Sequence, residues 1–302
     1  MKARARYDLD ARTRPGPGFK GLTILLAPAL AVVLVLFGGG LALGVVQAMG
    51  YLPGAGLGRL GFQHFAQVLT DPDFATGFAL TFYVAGVSTV LAAGISIIAA
   101  LALASLRSRW IHFIFQIPLT VPHLVVAVAM LFLLAPAGLL SRAAVAIGLI
   151  AGPADFPLLI NDNWGIGIIL VYVWKEIPFI TLMILAVLRN SGRELLDVGR
   201  TLKAGPWQRF RHITLPIIFP ALAAASLIVF AFTFGAFEVP YLLGRTYPMT
   251  LPVWAYKHYS DIDLLARPEG IAAGIVIALV VATAVVLAQM LTKAARKKGM
   301  VL

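Results

Sequence analysis

Long apolar runs separated by short polar segments dominate this chain. Crossing a bilayer as a helix takes about 20 consecutive apolar residues. Five uncharged runs reach that length: 21–58, 74–106, 110–141, 213–237 and 270–292. A sixth segment, 163–188, is apolar except for Lys175 and Glu176 at its centre. The pattern predicts six transmembrane helices, because without the sixth span two basic loops would face opposite sides of the membrane.

Composition and charge placement support the same fold. Hydrophobic residues make up 60% of the 302 residues and charged residues only 12%, whereas soluble domains carry about 25% charged residues. With six spans, most of the 24 lysines and arginines fall on one side, as the positive-inside rule expects for the cytoplasm. The net charge of +11 is therefore explained by topology, and no nucleic-acid partner is expected.

These patterns predict an all-α integral membrane protein with both termini in the cytoplasm. A basic tail covers residues 1–20, a six-span domain covers 21–292, and a second basic tail covers 293–302. The glycine- and proline-containing outer segment 52–76 predicts a loop with a short helix near 62–69. The apolar stretch 143–151 is too short to cross and is expected to be re-entrant or interfacial.

Several kinds of chemistry are excluded by what the sequence lacks. The absence of cysteine excludes disulfides, thiolate metal sites and a cysteine nucleophile. The five histidines show no metal-ligand spacing, and no phosphate-binding Gly-x4-Gly-Lys-Ser/Thr motif is present. We therefore expect no catalytic residue, no metal site and no ATPase activity in this chain.

The inner loop 189–214 is long, basic and patterned as a folded element. Residues 191–194 fit a capping box, which predicts a helix over 192–204. Leu195, Val198 and Leu202 recur at helical spacing, and Ala204-Gly205-Pro206 supplies a stop. A second helix over 207–213 is expected to lead into the fifth span. Without further motifs, the loop could equally be an amphipathic helix lying on lipid phosphates.

The spacing within this loop resembles the EAA loop of permease subunits in binding-protein-dependent ABC importers. The family pattern is Glu-Ala-Ala, three residues, Gly, nine residues, then Ile-x-Leu-Pro. Here these positions hold Asp197-Val198-Gly199, Lys203 and Ile213-Thr214-Leu215-Pro216. Asp for Glu is conservative, but Lys203 in place of glycine must adopt a less favourable backbone or extend the helix by a turn. Looser similarity covers 174–188 and 234–240.

The resemblance implies that the helix docks in a groove of a separate ATPase subunit and transmits its closure to the spans. The implied coupling residues are Glu194, Leu195, Asp197, Val198, Gly199, Leu202, Lys203, Ala204, Ile213, Leu215 and Pro216. It also implies a type I importer, in which this chain forms half of the pathway. Its partners would be a second permease, two ATPase subunits that bind ATP and Mg, and an extracytoplasmic solute-binding protein.

The segment 62–74 most resembles the first permease of the polyamine-type branch, in which two different permeases pair. A heterodimer is therefore expected rather than a homodimer. The substrate stays open among a polyamine, an aminophosphonate, thiamine and ferric iron.

Three charged residues in or beside the spans are candidates for the substrate path. Lys175 and Glu176 are adjacent, so they point to different sides of a helix, and each needs its own partner or an aqueous cavity. Glu238 either caps a helix break at the outer interface or offers a carboxylate beside aromatic rings, which suits an amine. We expect Glu176 to matter more than Lys175. The alternative function is an ion-coupled secondary transporter using Lys175 and Glu176, against which the EAA-like loop argues.

Overall fold

The computed structural model describes residues 19–106, 108–191 and 193–297. Six helical segments in this part of the chain are long and apolar enough to cross a membrane: Gly21–Ala48, Pro72–Ser105, His123–Ala146, Ile166–Arg189, Pro206–Gly235 and Arg267–Met290. The prediction of an all-α protein with six spans is confirmed, including the fourth span with its two central charges.

The described elements follow one another in a simple order. The helices are α1 (Phe19–Val32), α2 (Gly39–Ala48), α3 (Gln63–Thr70), α4 (Pro72–Ser105), α5 (Arg109–Thr120), α6 (His123–Leu134), α7 (Leu139–Ala146), α8 (Ile166–Ser191), α9 (Arg193–Thr201), α10 (Pro206–Arg209), α11 (Leu215–Gly235), α12 (Glu238–Leu243), α13 (Leu251–Tyr259) and α14 (Arg267–Lys297). Wider π-helical turns occupy Val33–Gly38 and Phe210–Thr214, and short 3-10 turns occupy Pro53–Ala55 and Pro153–Asp155. A small antiparallel hairpin pairs β1 (Tyr51–Leu52) with β2 (Leu57–Gly58).

Helices α4 and α8 form the most extensive helix pair of the fold. The face of α4 that packs inward carries fully buried small residues at four-residue intervals: Ser88, Ala92, Ser96 and Ala100. Small side chains let helix backbones approach closely. In a membrane, helices associate through such close packing, because lipid tails are as apolar as the side chains and the hydrophobic effect does not drive helices together. The Ser96 hydroxyl donates a hydrogen bond of 3.0 Å to the Ile177 carbonyl on α8. Close packing therefore holds the second and fourth spans together.

Helix α8 lies at the centre of the molecule, and the first span lies at its edge. Tyr172 belongs to one apolar cluster and Ile180 and Ile184 to another, so α8 joins both. In contrast, every side chain from residue 21 to residue 43 is exposed within the chain. The first span contributes almost nothing to the core until Ala48, which is fully buried.

The third span differs from the prediction of one uninterrupted run over 110–141. Helix α5 stops at Thr120, and α6 starts at His123. Val121 is extended, with φ −86° and ψ 127°, as expected for a residue that precedes proline. Pro122 therefore breaks the predicted run near its middle, so that the spanning segment begins only at His123. Hydropathy does not detect such a break because the run stays apolar.

Smaller differences concern the ends of other elements. The first span ends at Ala48 rather than near residue 58, because Gly50 turns the chain with φ +88°. The short helix expected near 62–69 is present as α3. The stretch 143–151 holds the end of α7 and a following turn, and its first four residues belong to the third spanning segment. The last helix continues to Lys297, beyond the predicted boundary at 292, and the N-terminal tail lies outside the described residues except for its last two.

Side chains of α4 fix the loop before α13. The Tyr247 hydroxyl donates to Asp73 Oδ1 at 2.9 Å, and the Thr81 hydroxyl accepts from the Leu251 backbone N–H at 2.7 Å. The hydrogen bond to Asp73 raises the pKa of Tyr247 above its ordinary value. The segment between the fifth and sixth spans is thereby tied to the second span.

Candidate coupling surface and path residues

The loop between the fourth and fifth spans folds into two short helices that lead directly into the fifth span. Helix α9 ends at Thr201, shorter than the prediction over 192–204, and α10 and the π turn Phe210–Thr214 join it to α11. Gly192 and the side chains of Ser191, Glu194 and Leu195 lie outside the described part of the chain. The capping box thus stays a prediction.

Lys203 ends α9 by adopting a left-handed backbone conformation, with φ +57°. The N–H of Lys203 donates to the Arg200 carbonyl, and the N–H of Ala204 donates to the Gly199 carbonyl, each at 3.0 Å. This pair of bonds is the Schellman motif, whose left-handed position glycine usually fills. From the sequence we expect either a less favourable backbone conformation at Lys203 or a helix extended by one turn. The structure shows the first: Lys203 is left-handed, and α9 ends at Thr201.

Gly199 lets α9 lie directly against the segment that enters the fifth span. Gly199 is buried, and a Cβ built on it would lie 2.6 Å from Ile213 Cδ1 and 3.4 Å from Arg209 Cγ. Two separated parts of the EAA-like pattern, Gly199 and Ile213, therefore meet in space. A displacement of α9 would be passed to α11 through this contact.

Another side of the loop carries exposed apolar side chains. Val198 is 54% exposed, Leu202 is 76% exposed, and Trp207 is 67% exposed. The Trp207 ring stacks on Phe210 with 5.5 Å between centroids. Asp197 pairs with Arg200 at 2.8 Å, but both side chains are well exposed, so the pair adds little stability. Trp207 was not predicted as a site residue, because it follows the Ala204-Gly205-Pro206 sequence that was expected to end the helix.

The ammonium of Lys175 stabilises the break in the third span. Lys175 is buried, and its Nζ donates to the Pro118 carbonyl at 2.6 Å and to the Val121 carbonyl at 2.5 Å. A helix break in a membrane frees carbonyls that have no water to bind, so a buried donor must satisfy them. Lys175 supplies that donor, and it does not pair with Glu176.

Glu176 joins the third, fourth and fifth spans through His123. Its Oε1 lies 3.1 Å from His123 Nε2, within hydrogen-bonding distance, and the His123 ring lies 4.7 Å from the ring of Phe232 on α11. His123 was not predicted as a site residue. Its one sequence signal is its position directly after Pro122, at the point where α6 begins.

Glu238 is exposed at the start of α12, just after the fifth span ends. Tyr172 lies one helical turn before Glu176 and is completely buried, and its hydroxyl has no hydrogen-bond partner among the described residues. Tyr172 also packs in one cluster with Ala236 and Val239, which lie on either side of Phe237 and Glu238 in sequence. The start of α12 is thereby held against α8, while the Glu238 side chain itself is exposed.

Six helices long and apolar enough to cross a membrane, and the short helix α9 packed against the entry to the fifth, characterise this fold. Residues 92–298 match the family described as "Binding-protein-dependent transport system inner membrane component", and the chain belongs to this family. Among the described residues, no group of three or more acidic or histidine side chains is placed to hold a metal ion.

Curated relatives and a solved structure agree with this assignment. The chain is 27% identical over 215 residues to the molybdenum transport system permease protein ModB of Azotobacter vinelandii, covering 69% of this chain and 90% of that protein. It is 29% identical to the inner membrane ABC transporter permease protein YnjC of Escherichia coli K12, covering 79% of this chain and 45% of that protein. A bacterial alginate ABC transporter, solved with a periplasmic protein carrying an alginate pentasaccharide, superposes with TM-score 0.74 at 22% identity, covering 93% of this chain and 95% of that one.

The chain is therefore a permease subunit of an ABC importer, a non-catalytic component that crosses the inner membrane several times. Membership in this family replaces the alternative of an ion-coupled secondary transporter. The relatives include a molybdenum permease, so they support the importer class and do not single out the polyamine branch.

Proposed function

We propose that this chain forms one half of a heterodimeric translocation pathway for a small solute. A second permease supplies the other half, and two ATPase subunits beneath the pair bind ATP and Mg, while this chain binds neither. An extracytoplasmic binding protein delivers the solute. The fold shared with the alginate transporter, which was solved with a periplasmic protein, supports this arrangement. The resemblance of residues 62–74 to the polyamine-type branch supports the heterodimer and a polyamine as the solute.

One observation carries the proposal: α9 presents exposed Val198 and Leu202 outward while its buried Gly199 contacts Ile213. Exposed apolar side chains on a cytoplasmic helix favour a protein partner over water. The contact with Ile213 gives that partner a direct connection to α11. We therefore assign the ATPase-coupling role to the loop residues that the EAA-like pattern marks.

The path residues divide into two kinds in this proposal. Lys175 has a structural role, since two main-chain carbonyls take up its ammonium. Glu176 and Glu238 line the path, because Glu176 contacts His123, whose ring lies against Phe232 of the fifth span, and Glu238 begins α12 just after that span ends. A charged side chain at membrane depth faces protein or an aqueous cavity, not lipid.

The test of the coupling role is Leu202→Asp. If Leu202 is buried in an ATPase groove, an unpaired charge there costs about 1–3 kcal/mol or more. We expect normal membrane levels of the permease, weakened co-purification of the ATPase and loss of uptake. Leu265→Asp is the matched control, since Leu265 is also an exposed leucine but lies in the loop before α14. A Leu202→Asp permease that retains its ATPase and transports normally would refute the assignment.

A further inference from the structure

The break between α5 and α6 is held from both sides by one turn of α8. The ammonium of Lys175 donates to the carbonyl of Pro118 in α5 and to that of Val121 within the break. The next residue of α8, Glu176, holds the first residue of α6, because its Oε1 lies 3.1 Å from His123 Nε2. Two adjacent residues of one helix therefore fix the two sides of the break.

The break has the properties of a joint. Pro122 has no backbone N–H to donate, and Val121 is extended, so the hydrogen-bonded ladder of a continuous helix is interrupted here. Hinges in proteins are a few residues at the ends of elements that absorb changes of φ and ψ. Helices α5 and α6 are therefore two segments whose relative angle depends on the side chains that hold Val121, Pro122 and His123.

The fifth span reaches this joint at the ring of His123. Helix α11 packs along α4, α8 and α14. Within the described residues its contact with α6 is narrower, and there the Phe232 ring lies 4.7 Å from the His123 ring between centroids, tilted by 43°. At its other end, α11 follows the segment in which Ile213 lies against Gly199 of α9. His123 therefore lies between the helix that begins at the EAA-like loop and the helix that follows the joint.

We propose that His123 is a positioning residue, which transmits a displacement of the fifth span to the joint between α5 and α6. When the ATPase moves α9, the displacement passes along α11, and Phe232 displaces the His123 ring. Glu176 keeps that ring oriented, and Val121 takes up the change of angle. Packed helices respond to such displacements by switching between discrete arrangements. This inference rests on the proposed ATPase-coupling role of α9.

Substitutions can separate the hydrogen bond of His123 from its ring contact. His123→Gln keeps a group that can donate to Glu176 but removes the ring. Phe232→Ala removes the opposing ring and leaves the hydrogen bond in place, whereas Phe232→Tyr keeps an aromatic ring. Phe219→Ala is the matched control, since Phe219 lies on the same helix and is 44% exposed, compared with 43% for Phe232.

The test measures the distance between two spin labels by double electron–electron resonance, on the permease–ATPase complex in lipid nanodiscs. The labels are attached at Trp110→Cys in α5 and Phe132→Cys in α6, because both side chains are exposed and the chain has no cysteine. We expect the mean distance to shift by about 2–5 Å when ATP and vanadate trap the ATPase. His123→Gln and Phe232→Ala should each reduce this shift at least about twofold, and the double variant should lose no more than either single variant. Phe232→Tyr and Phe219→Ala should keep the shift.

A shift of wild-type size in His123→Gln and Phe232→Ala would overturn the proposed role of His123. No shift in the wild type, or an equal loss of the shift in Phe219→Ala, would overturn it as well. Thermal unfolding near the wild-type temperature establishes that each variant is folded. The coupling role fails separately, in a Leu202→Asp permease that retains its ATPase. A complex whose distance shifts on trapping, and shifts equally without the His123 ring, would count against the role of His123 alone.

Discussion

At the scale of single residues, Lys203 shows how one backbone angle sets the end of the coupling helix. A left-handed conformation costs a residue with a Cβ about 1–2 kcal/mol relative to its ordinary conformations, and glycine avoids this cost. Lys203→Gly should therefore stabilise the folded loop by about 1 kcal/mol and keep or strengthen ATPase co-purification. Thermal unfolding of the purified complex measures the first effect.

Lys203→Ala separates the backbone from the charge in that experiment. Alanine removes the ammonium but keeps the Cβ, so it should leave the unfolding temperature close to that of the wild type. If both variants weaken ATPase binding equally, Lys203 contacts the ATPase through its charge, and the prediction from the backbone angle is wrong.

A second prediction at this scale contrasts the neighbours Lys175 and Glu176. Lys175→Met leaves the carbonyls of Pro118 and Val121 without a donor, which should destabilise the protein by about 2 kcal/mol or more. Glu176→Gln keeps a hydrogen-bonding group beside His123, so it should unfold near the wild-type temperature while uptake falls. Thermal unfolding and uptake are measured on both. Wild-type uptake in Glu176→Gln would leave this residue without a role in the path.

At the scale of elements, α9 and the entry to α11 behave as one unit because Gly199 allows them to touch. Gly199→Ala restores the family residue at this position, but its Cβ would meet Ile213 Cδ1. We expect the single variant to lose about 1 kcal/mol of stability and part of its ATP-driven uptake. Ile213→Val removes the opposing methyl group, so the double variant should recover. A double-mutant cycle measures this coupling, and strictly additive effects would contradict the contact.

Hydropathy and charge predict the six spans and the basic loop between the fourth and fifth spans. They do not predict the contact between Glu176 and His123. Long apolar runs and basic loops are local signals, which is why even the span containing Lys175 and Glu176 is recovered. The contact between Glu176 and His123 joins positions 53 residues apart, and only tertiary packing creates it. The break at Val121 leaves the run apolar, so Pro122 is its single local sign.

At the scale of the whole molecule, the direction of the spans follows from the distribution of basic residues. Because the chain has no cysteine, single cysteines can be introduced without background labelling. We expect Ser191→Cys and Ala295→Cys to react with an impermeant thiol reagent only from the cytoplasmic side, and Ala55→Cys and Ser260→Cys only from the outside. The unmodified chain is the control. Labelling of Ser191→Cys in intact cells would invalidate the fourth span.

The row of small residues along α4 also constrains how this protein can diverge during evolution. Ser88, Ala92, Ser96 and Ala100 are fully buried where α4 meets α8, so a larger side chain would push two spans apart. The exposed Val90 has no such neighbour. In related permeases, substitutions along the buried row should be confined to glycine, alanine and serine, whereas position 90 should exchange freely among apolar residues. Drift in sequence would then accumulate on the lipid side of this helix and leave its inner face nearly constant.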